Sequence, residues 1–592
     1  MFQEKEVTLR KVPQSAGVQW NILNFSNMRK LCFGALMVLF LMPACSDNNR
    51  EPGKNDPVAI CENGKFIGYI EDNGVLTFKG IPYAKAPAGE LRWKAPQKVA
   101  ASSETFEAKK FGPAALQSYD PSEVASQGEL SEDCLRLNVW TADLNYKAGR
   151  PVMVWIHGGS YGWGGVMDPL YEGKYLVAGY PDVVLVTIAY RVNAMGFIDF
   201  SGVPGGEAFP DAPYLGIMDQ QQALRWVRKN ISVFGGDPEN ITIFGESAGG
   251  GSVSAHLVAE GSEGLFKRAI AMSGDLSLER TKAEYDAVGQ AAKLLAVSGC
   301  SDMAGLMALS KEQMLTALNT DIGEEGKEGV GSELGSFNNY PMRGSGSILP
   351  LDGYDALLKG ASKDVDLMIG TVADEMRYWA YLQFNPKDPE GPLAHYHKWA
   401  REKVEALKKL AGAAPIENCL ADMTADYDAV DAEYDSIYPG IWKYTEILNE
   451  YSFRLGAITM AENHVAARGN GKTYMYYFAK GLDFKGKPEE AYMNYLKACH
   501  ACELSYAFNN LSMNNSGELD PELTAKFSSA LVNFARTGNP DTGDEFTVSQ
   551  YDTQNRSTLC IDRAGSVRAG NDPLKSQREW LLPTFKTYFL SK

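Results

Sequence analysis

Short apolar runs at 152–156, 183–190, 241–244, 268–272, 366–369 and 473–478 alternate with stretches of helical periodicity. A run with little polar alternation reads as a strand buried on both faces. Such strands need helices above and below them, and a strand–helix–strand rhythm returns each strand parallel to the last. The expected fold is therefore α/β, a mostly parallel central sheet with helices on both faces. The pattern at 220–229 is one such helix, ahead of the run 241–244, and 247–258 is another, behind it. Two long stretches, near 275–365 and 376–470, break the rhythm. They are rich in helix formers, as at 285–295 and 397–410, and read as helical insertions above the sheet. Within the first, residues 323–338 collect Gly, Ser and Glu and predict a surface loop.

Residues 57–592 carry this pattern as one unit, large enough to bury an extensive core. What precedes it reads differently. Arg29 and Lys30 lead into the apolar run 31–41, too short to span a bilayer but the length of a signal-peptide core. Met42-Pro43-Ala44-Cys45 follows, then the polar residues 46–49. A small residue directly before a cysteine resembles the cleavage site of bacterial lipoproteins, whose cysteine takes a lipid. The expectation is an export signal over 1–45 with the true start at Met28, a lipid on Cys45, a polar linker over 46–56, and a membrane-anchored protein of the periplasm or cell surface. With 74 acidic against 57 basic residues the net charge is −17. That charge repels phosphate backbones, so the expected partner is a small molecule rather than nucleic acid. Once Cys32 is removed and Cys45 lipidated, cysteines 61, 134, 300, 419, 499, 502 and 560 remain, an odd number whose pairing the sequence does not specify.

Gly245-Glu246-Ser247-Ala248-Gly249 matches the pattern Gly-x-Ser-x-Gly. In a chain with 58 glycines the match alone is weak, and Gly158-Gly159-Ser160-Tyr161-Gly162 matches as well. Context separates them. Ser247 lies between the apolar run 241–244 and a helical stretch, where a sharp strand-to-helix turn holds a serine hydroxyl out at the carboxyl end of a sheet. The helix N-terminus favours negative charge developing there. Ser160 leads instead into a glycine-rich loop. His157-Gly158-Gly159 follows the run 152–156, so backbone N–H groups there, with that of Ala248, can face a carbonyl oxygen as it becomes an anion.

A serine nucleophile needs a base, and the chain has six histidines. His157 adjoins the oxyanion loop. His256 is about two and a half turns along the helix after Ser247 and points away. His395, His397 and His464 fall in helical patterns. His500 lies in a loop late in the chain, where the order serine, acid, histidine places the base. For the acid, the loop after 366–369 offers both Asp374 and Glu375, and physical reasoning leaves the two equal.

These residues sit among longer motifs: Phe78-Lys79-Gly80-Ile81-Pro82-Tyr83-Ala84, Ser131-Glu132-Asp133-Cys134-Leu135, Phe234-Gly235-Gly236-Asp237-Pro238, Leu265-Phe266-Lys267-Arg268-Ala269-Ile270 and Asn533-Phe534-Ala535-Arg536-Thr537-Gly538. In that order they resemble the type B carboxylesterase family, which includes cholinesterases and bacterial para-nitrobenzyl esterases, over roughly 57–565. The resemblance implies an α/β-hydrolase fold and hydrolysis of a small-molecule ester through an acyl-enzyme, with no metal or organic cofactor. It implies Ser247 as nucleophile, Glu375 as acid from an Asp-Glu-Gly motif, and His500 as base from His500-Ala501-Cys502-Glu503-Leu504. It also implies oxyanion donors at the N–H groups of Gly159, Ser160 and Ala248, and an influence of Glu246 on the charge of His500. Met376 replaces the motif's glycine, so a differently shaped acid loop is expected. Ala115 replaces a cysteine that pairs with Cys134 in many members; that disulfide is expected to be absent, or Cys134 to find another partner such as Cys61. Cys499 and Cys502 read as packing residues or a local disulfide. Tyr161 and Trp163 are candidate pocket aromatics. A non-catalytic binding protein, or an amidase or acyltransferase with the same triad, are the competing classes.

Overall fold

Alternate side chains of the central strands enter two separate apolar cores. Val152, Val154 and Ile156 pack with Ile241, Ile243, Ala269, Ala271, Leu367 and Ile369 on one face. Met153 and Trp155 pack with Phe244, Ile270, Met272 and Met368 on the other. This two-sided burial is why the runs are apolar at nearly every position. Each buried aliphatic side chain contributes about 1.5–3 kcal/mol. Trp155 centres the second core, its ring 5.0, 4.9 and 5.0 Å from those of Tyr171, Phe244 and Phe508.

The computed structural model describes residues 56–117, 128–278, 287–320, 340–344, 346–382, 392–423, 427–481, 495–512, 519–543 and 546–590. The expected export signal, Cys45, residues 46–55 of the linker and the 323–338 loop lie outside the described residues. The main sheet has 11 strands. Their order is Val567–Asn571, Ser557–Ile561, Thr473–Phe478, Asp366–Val372, Arg268–Met272, Gly236–Glu246, Arg150–Ile156, Val184–Ile188, Arg136–Thr141, Leu76–Pro82 and Tyr69–Ile70. From Ser557–Ile561 to Val184–Ile188 every pairing is parallel. Antiparallel pairings close both ends. A separate hairpin, Val58–Cys61 with Gly64–Ile67, adds Thr105–Glu107 in parallel.

Helices cover both faces. Leu215–Asn230 sends Ile217, Leu224 and Val227 into the first core at helical spacing. Pro521–Thr537 sends Leu523, Phe527, Leu531 and Phe534 into the second. Its ends are written in the sequence: Asp520 caps the N–H groups of Glu522 and Leu523, Pro521 opens the first turn, and Gly538 closes it with φ 71°. Between Met272 and Asp366 lie Ala287–Ser298, Met303–Ala308, Lys311–Asn319 and Gly353–Leu358. Between Val372 and Thr473 lie Arg377–Leu382, Pro392–Ala411, Ala413–Asp422, Ala429–Ile437, Ile441–Asn449 and Leu455–Ala466, with a π-helical turn at Glu450–Arg454. Tyr396, Ala400 and Val404, four apart, bury with Ile441, Trp442 and Leu448 in an extension of the first core. Among the described residues no helix is long and apolar enough to cross a membrane.

The chain leaves Arg150–Ile156 for Val184–Ile188 on one side and returns to Gly236–Glu246 on the other. The two strands so divided are neighbours, with Ile156 opposite Gly245. The carboxyl ends at such a reversal are where open α/β sheets bind ligands. The seven cysteines beyond Cys45 are free thiols. Cys134 therefore has no disulfide to Cys61, and Cys499 and Cys502 are not joined but buried in the second core, where burial first of all pushes both thiols up.

Candidate active site

The strand Gly236–Glu246 runs straight into Ser247, and the helix Ala248–His256 begins at the next residue. Ser247 has φ 57° and ψ −125°, a conformation a side chain enters only under constraint. The constraint is visible. Its N–H donates to the Met272 carbonyl at 3.0 Å and its carbonyl accepts from Gly251 at 2.8 Å. A Cβ at Gly249 would stand 2.1 Å from the Ile156 carbonyl oxygen, so that position of the motif has room only for glycine.

Beside this turn the strand Arg150–Ile156 delivers the loop His157–Tyr161. A Cβ built on Gly158 would lie 3.1 Å from that of Ser247, so loop and turn run in contact. Gly159 has φ 109°, and a Cβ there would meet the Trp163 carbonyl oxygen at 2.1 Å. Ser160 and Tyr161 are also left-handed, with φ 52° and 56°. Gln117 clamps the loop by donating to the Gly164 carbonyl at 2.9 Å and accepting from its N–H at 2.8 Å. Asn193 donates its N–H to the Tyr161 carbonyl at 2.6 Å. Among the described residues no group accepts from the N–H of Gly159, Ser160 or Ala248. His157 lies beneath, its ring 4.4 Å from that of Tyr190 and its Nδ1 donating to the Gly158 carbonyl at 2.8 Å. Burial pushes it down to about 4, against the opposing effect of that hydrogen bond, so it stays neutral. Tyr161 is fully buried against Phe197 and Tyr340 and is a packing residue. Trp163 is half-buried.

Glu375 and His500 come together from two loops at the same edge. Glu375 Oε1 accepts from the Val372 N–H at 3.0 Å, and Oε2 lies 2.6 Å from His500 Nδ1. The two carboxylates that physical reasoning alone left equal have separate destinations. Asp374 accepts from the Ala498 N–H at 3.0 Å and pairs with Arg563, whereas Glu375 faces the imidazole. Met376 needs no left-handed backbone. Its N–H donates to Asn449 Oδ1 at 2.7 Å and its side chain is buried, so a methionine fits where the resembled motif has glycine. Three of the other histidines are engaged elsewhere. His256 contacts Ser262 and Gln220, His464 contacts Thr473 and Ser362, and His397 contacts Pro439. His395 lies in Pro392–Ala411.

Glu246, the neighbour of Ser247, brings Oε1 to 3.1 Å from His500 Nε2. The pair is close enough for charge attraction but not aligned as a hydrogen bond, and both atoms lack a hydrogen-bond partner. Nε2 of the imidazole therefore sits beside the turn that carries Ser247. Burial alone pushes His500 down. The carboxylates of Glu246 and then Glu375 and Glu503 outweigh it and hold the imidazole up to about 9. Burial raises Glu246 to about 7, with His500 opposing and Glu375 adding. Glu503 is pushed well above the carboxylate range, by burial first and then by Glu246 and Glu375. Sequence reasoning gave Glu503 no role, although its place three residues after His500 was on view. It also missed Trp379 and Phe453, whose rings lie 4.9 and 5.0 Å from that of His500. Phe453 comes from the π-helical turn, for which the sequence carries no signal. Among the described residues no group of three or more His, Cys, Asp or Glu is arranged to hold a metal ion.

A parallel sheet whose strands end in a strained serine turn, a glycine-rich loop and a carboxylate-bound histidine defines an α/β-hydrolase. The sequence model of the carboxylesterase family matches residues 55–578. The chain is 34% identical to para-nitrobenzyl esterase of Bacillus subtilis (strain 168) over 541 residues, covering 89% of this chain and 99% of that one. It is 30% identical to acetylcholinesterase of Bungarus fasciatus over 571 residues, covering 90% and 88%. The solved carboxylesterase EST55 of Geobacillus stearothermophilus superposes with a TM-score of 0.72 at 30% identity, covering 88% of this chain and 99% of that one. The protein belongs to the carboxylesterase family and is a carboxylic ester hydrolase.

Proposed function

We propose that the protein hydrolyses its ester through a covalent acyl-enzyme on Ser247. The observation that carries this reading is the 2.6 Å contact between Glu375 and His500, with the free Nε2 beside the strained serine turn. His500 Nε2 removes the Ser247 proton as Oγ attacks the ester carbonyl. Glu375 holds Nδ1 and stabilises the imidazolium that forms. The negative oxygen of the tetrahedral intermediate meets the N–H groups of Gly159, Ser160 and Ala248, and the positive end of the helix Ala248–His256 adds to them. The imidazolium then returns its proton to the departing alcohol. Water, deprotonated by the same nitrogen, releases the acid. Labelling with a fluorophosphonate probe tests the scheme: an adduct on Ser247 that blocks turnover of a para-nitrobenzyl or para-nitrophenyl ester supports it. Full turnover without an adduct, or an adduct elsewhere, overturns it. Amide substrates and acceptor alcohols offered in the same assay separate an amidase or acyltransferase from an esterase.

The surroundings of His500 give a pH signature. The base acts only when unprotonated, so kcat/KM rises with pH as His500 loses its proton. Glu246 is the first of the carboxylates that hold the proton on. Its removal in Glu246→Gln is expected to move the ascending limb to lower pH, read from kcat/KM profiles of the two proteins. A limb that stays in place or moves upward would show that Glu246 does not act on the imidazole.

We also propose that the chain is exported and anchored through a lipid on Cys45, on the strength of the N-terminal pattern alone. Cys45→Ser is then expected to shift the protein from the membrane fraction to the soluble fraction after cell lysis. Unchanged fractionation, or an intact Met1 terminus on the mature protein, would remove the proposal.

A further inference from the structure

One cluster of charges takes no part in the chemistry above, yet it begins at Asp374, the residue before the acid. Asp374 is fully buried. Its N–H donates to the Ala498 carbonyl at 2.9 Å, and its Oδ2 accepts from the Ala498 N–H at 3.0 Å. Arg563 grips both of its carboxylate oxygens, and Arg377 Nε lies 3.2 Å from Oδ1. Arg377, also buried, donates to the Tyr495 carbonyl at 2.9 Å and to Asp431 Oδ1 at 2.8 Å. Lys497 spans Asp431 at 2.7 Å and Asp428 at 2.8 Å. On the far side, Asn449 accepts from the Met376 N–H at 2.7 Å and donates to the Ala373 carbonyl at 3.3 Å. The turn 373–377 is thus tied to 495–498, to the helix Ala429–Ile437 and to the last residue of Ile441–Asn449.

The formal charges balance. Arg377, Lys497 and Arg563 face Asp374, Asp428 and Asp431. The nearby Glu446 is pushed up to about 8, by burial first and then by Asp374, against Arg377, and so adds little negative charge at neutral pH. Buried ion pairs of this kind are often no more stabilising than apolar residues of equal volume, so stability alone does not account for them. Geometry does. Glu375 and His500 are 125 residues apart in the chain, and their only other mutual bond is a long one, from the His500 N–H to the Glu375 carbonyl at 3.4 Å. The loop that carries His500 also holds two non-glycine residues in the left-handed region, Lys497 at φ 49° and Ala501 at φ 67°. Such backbone persists only where its surroundings over-determine it.

We propose that this cluster, centred on Arg377, is a positioning device: it locks the turn 373–377 onto the loop 495–500 so that Glu375 Oε2 stays on His500 Nδ1 while the imidazole gains and loses its proton. The proposal rests on the acyl-enzyme reading. The experiment measures ester hydrolysis and fluorophosphonate labelling for Arg377→Met, Arg377→Lys, Arg563→Gln and Asn449→Ala, each in the otherwise native chain and in a Glu375→Gln background. Misplacing a catalytic group by about 1 Å costs on the order of 100-fold. Arg377→Met is therefore expected to lower kcat by about 10- to 100-fold with KM within about two-fold, and Arg377→Lys to recover part of the loss. In the Glu375→Gln background the same substitutions are expected to cost less than about three-fold, because no carboxylate remains to be positioned. The low-field proton resonance of the His500–Glu375 hydrogen bond is expected to broaden or shift in Arg377→Met. If that variant does not fold, Arg563→Gln, at the solvent edge of the cluster, and Asn449→Ala carry the same comparison. Equal fold-losses in both backgrounds, or a change in KM with kcat intact, overturn the positioning role while leaving the acyl-enzyme standing. A native protein that hydrolyses esters without labelling on Ser247 removes both.

Discussion

Ser247→Ala is expected to lower kcat by about a million-fold, the size of the loss when a serine hydrolase is stripped of its nucleophile. The expectation follows from how little else the turn offers. Ser160, the other serine in a matching pattern, is bracketed by Gly159 and Tyr161 in a left-handed loop, and its contribution to the scheme is an N–H rather than a hydroxyl. The variant should remain folded. The φ of 57° is imposed by the bonds to Met272 and Gly251, which are backbone bonds that alanine keeps. Circular dichroism and thermal melting should therefore match the native chain while fluorophosphonate labelling disappears. Hydrolysis that survives at more than about a thousandth of the native rate would place the nucleophile elsewhere.

Glu375→Gln is expected to lower kcat by roughly 10,000-fold, a loss comparable with that of an acid-to-amide change in another triad. Here the structure supplies a particular reason. Oε1 is committed to the Val372 N–H at 3.0 Å, so the glutamine carbonyl oxygen will stay on that donor. Its NH2 group is then left facing His500 Nδ1, where Oε2 now sits at 2.6 Å. An amide that donates to Nδ1 puts the imidazole proton on Nε2, the nitrogen that must accept from the serine. The labelling rate should fall alongside kcat, and KM should change little. A loss below about ten-fold would mean that the imidazole keeps its tautomer without this carboxylate.

The parts of the fold that were legible were those buried on both sides. The runs 268–272 and 473–478 coincide with strands to the residue. The run 241–244 is only the core of Gly236–Glu246, whose first half carries Asp237 and Glu239 toward solvent and so loses its apolar signature. The strands Leu76–Pro82 and Arg136–Thr141, toward one end of the sheet, were not legible at all. They hold Lys79 and Asn138 within them, and their pairings are antiparallel. In the site, Ser247 was readable because strand, turn and helix are contiguous. The division of labour between Asp374 and Glu375 was legible only through the family resemblance, which names Glu375. Its physical basis, the hold of Arg563 and Ala498 on Asp374, comes from far along the chain.

The direct pairing of Asp366–Val372 with Thr473–Phe478 means that everything between them is a detour from the sheet, which suggests a module open to exchange. The detour is not freely interchangeable. Asn449 and Asp431 reach back from it to the acid turn. A chimera that grafts a foreign cap at this junction to change substrate choice would detach the brace along with the cap, unless the donor segment brings an amide and a carboxylate to the same two spots.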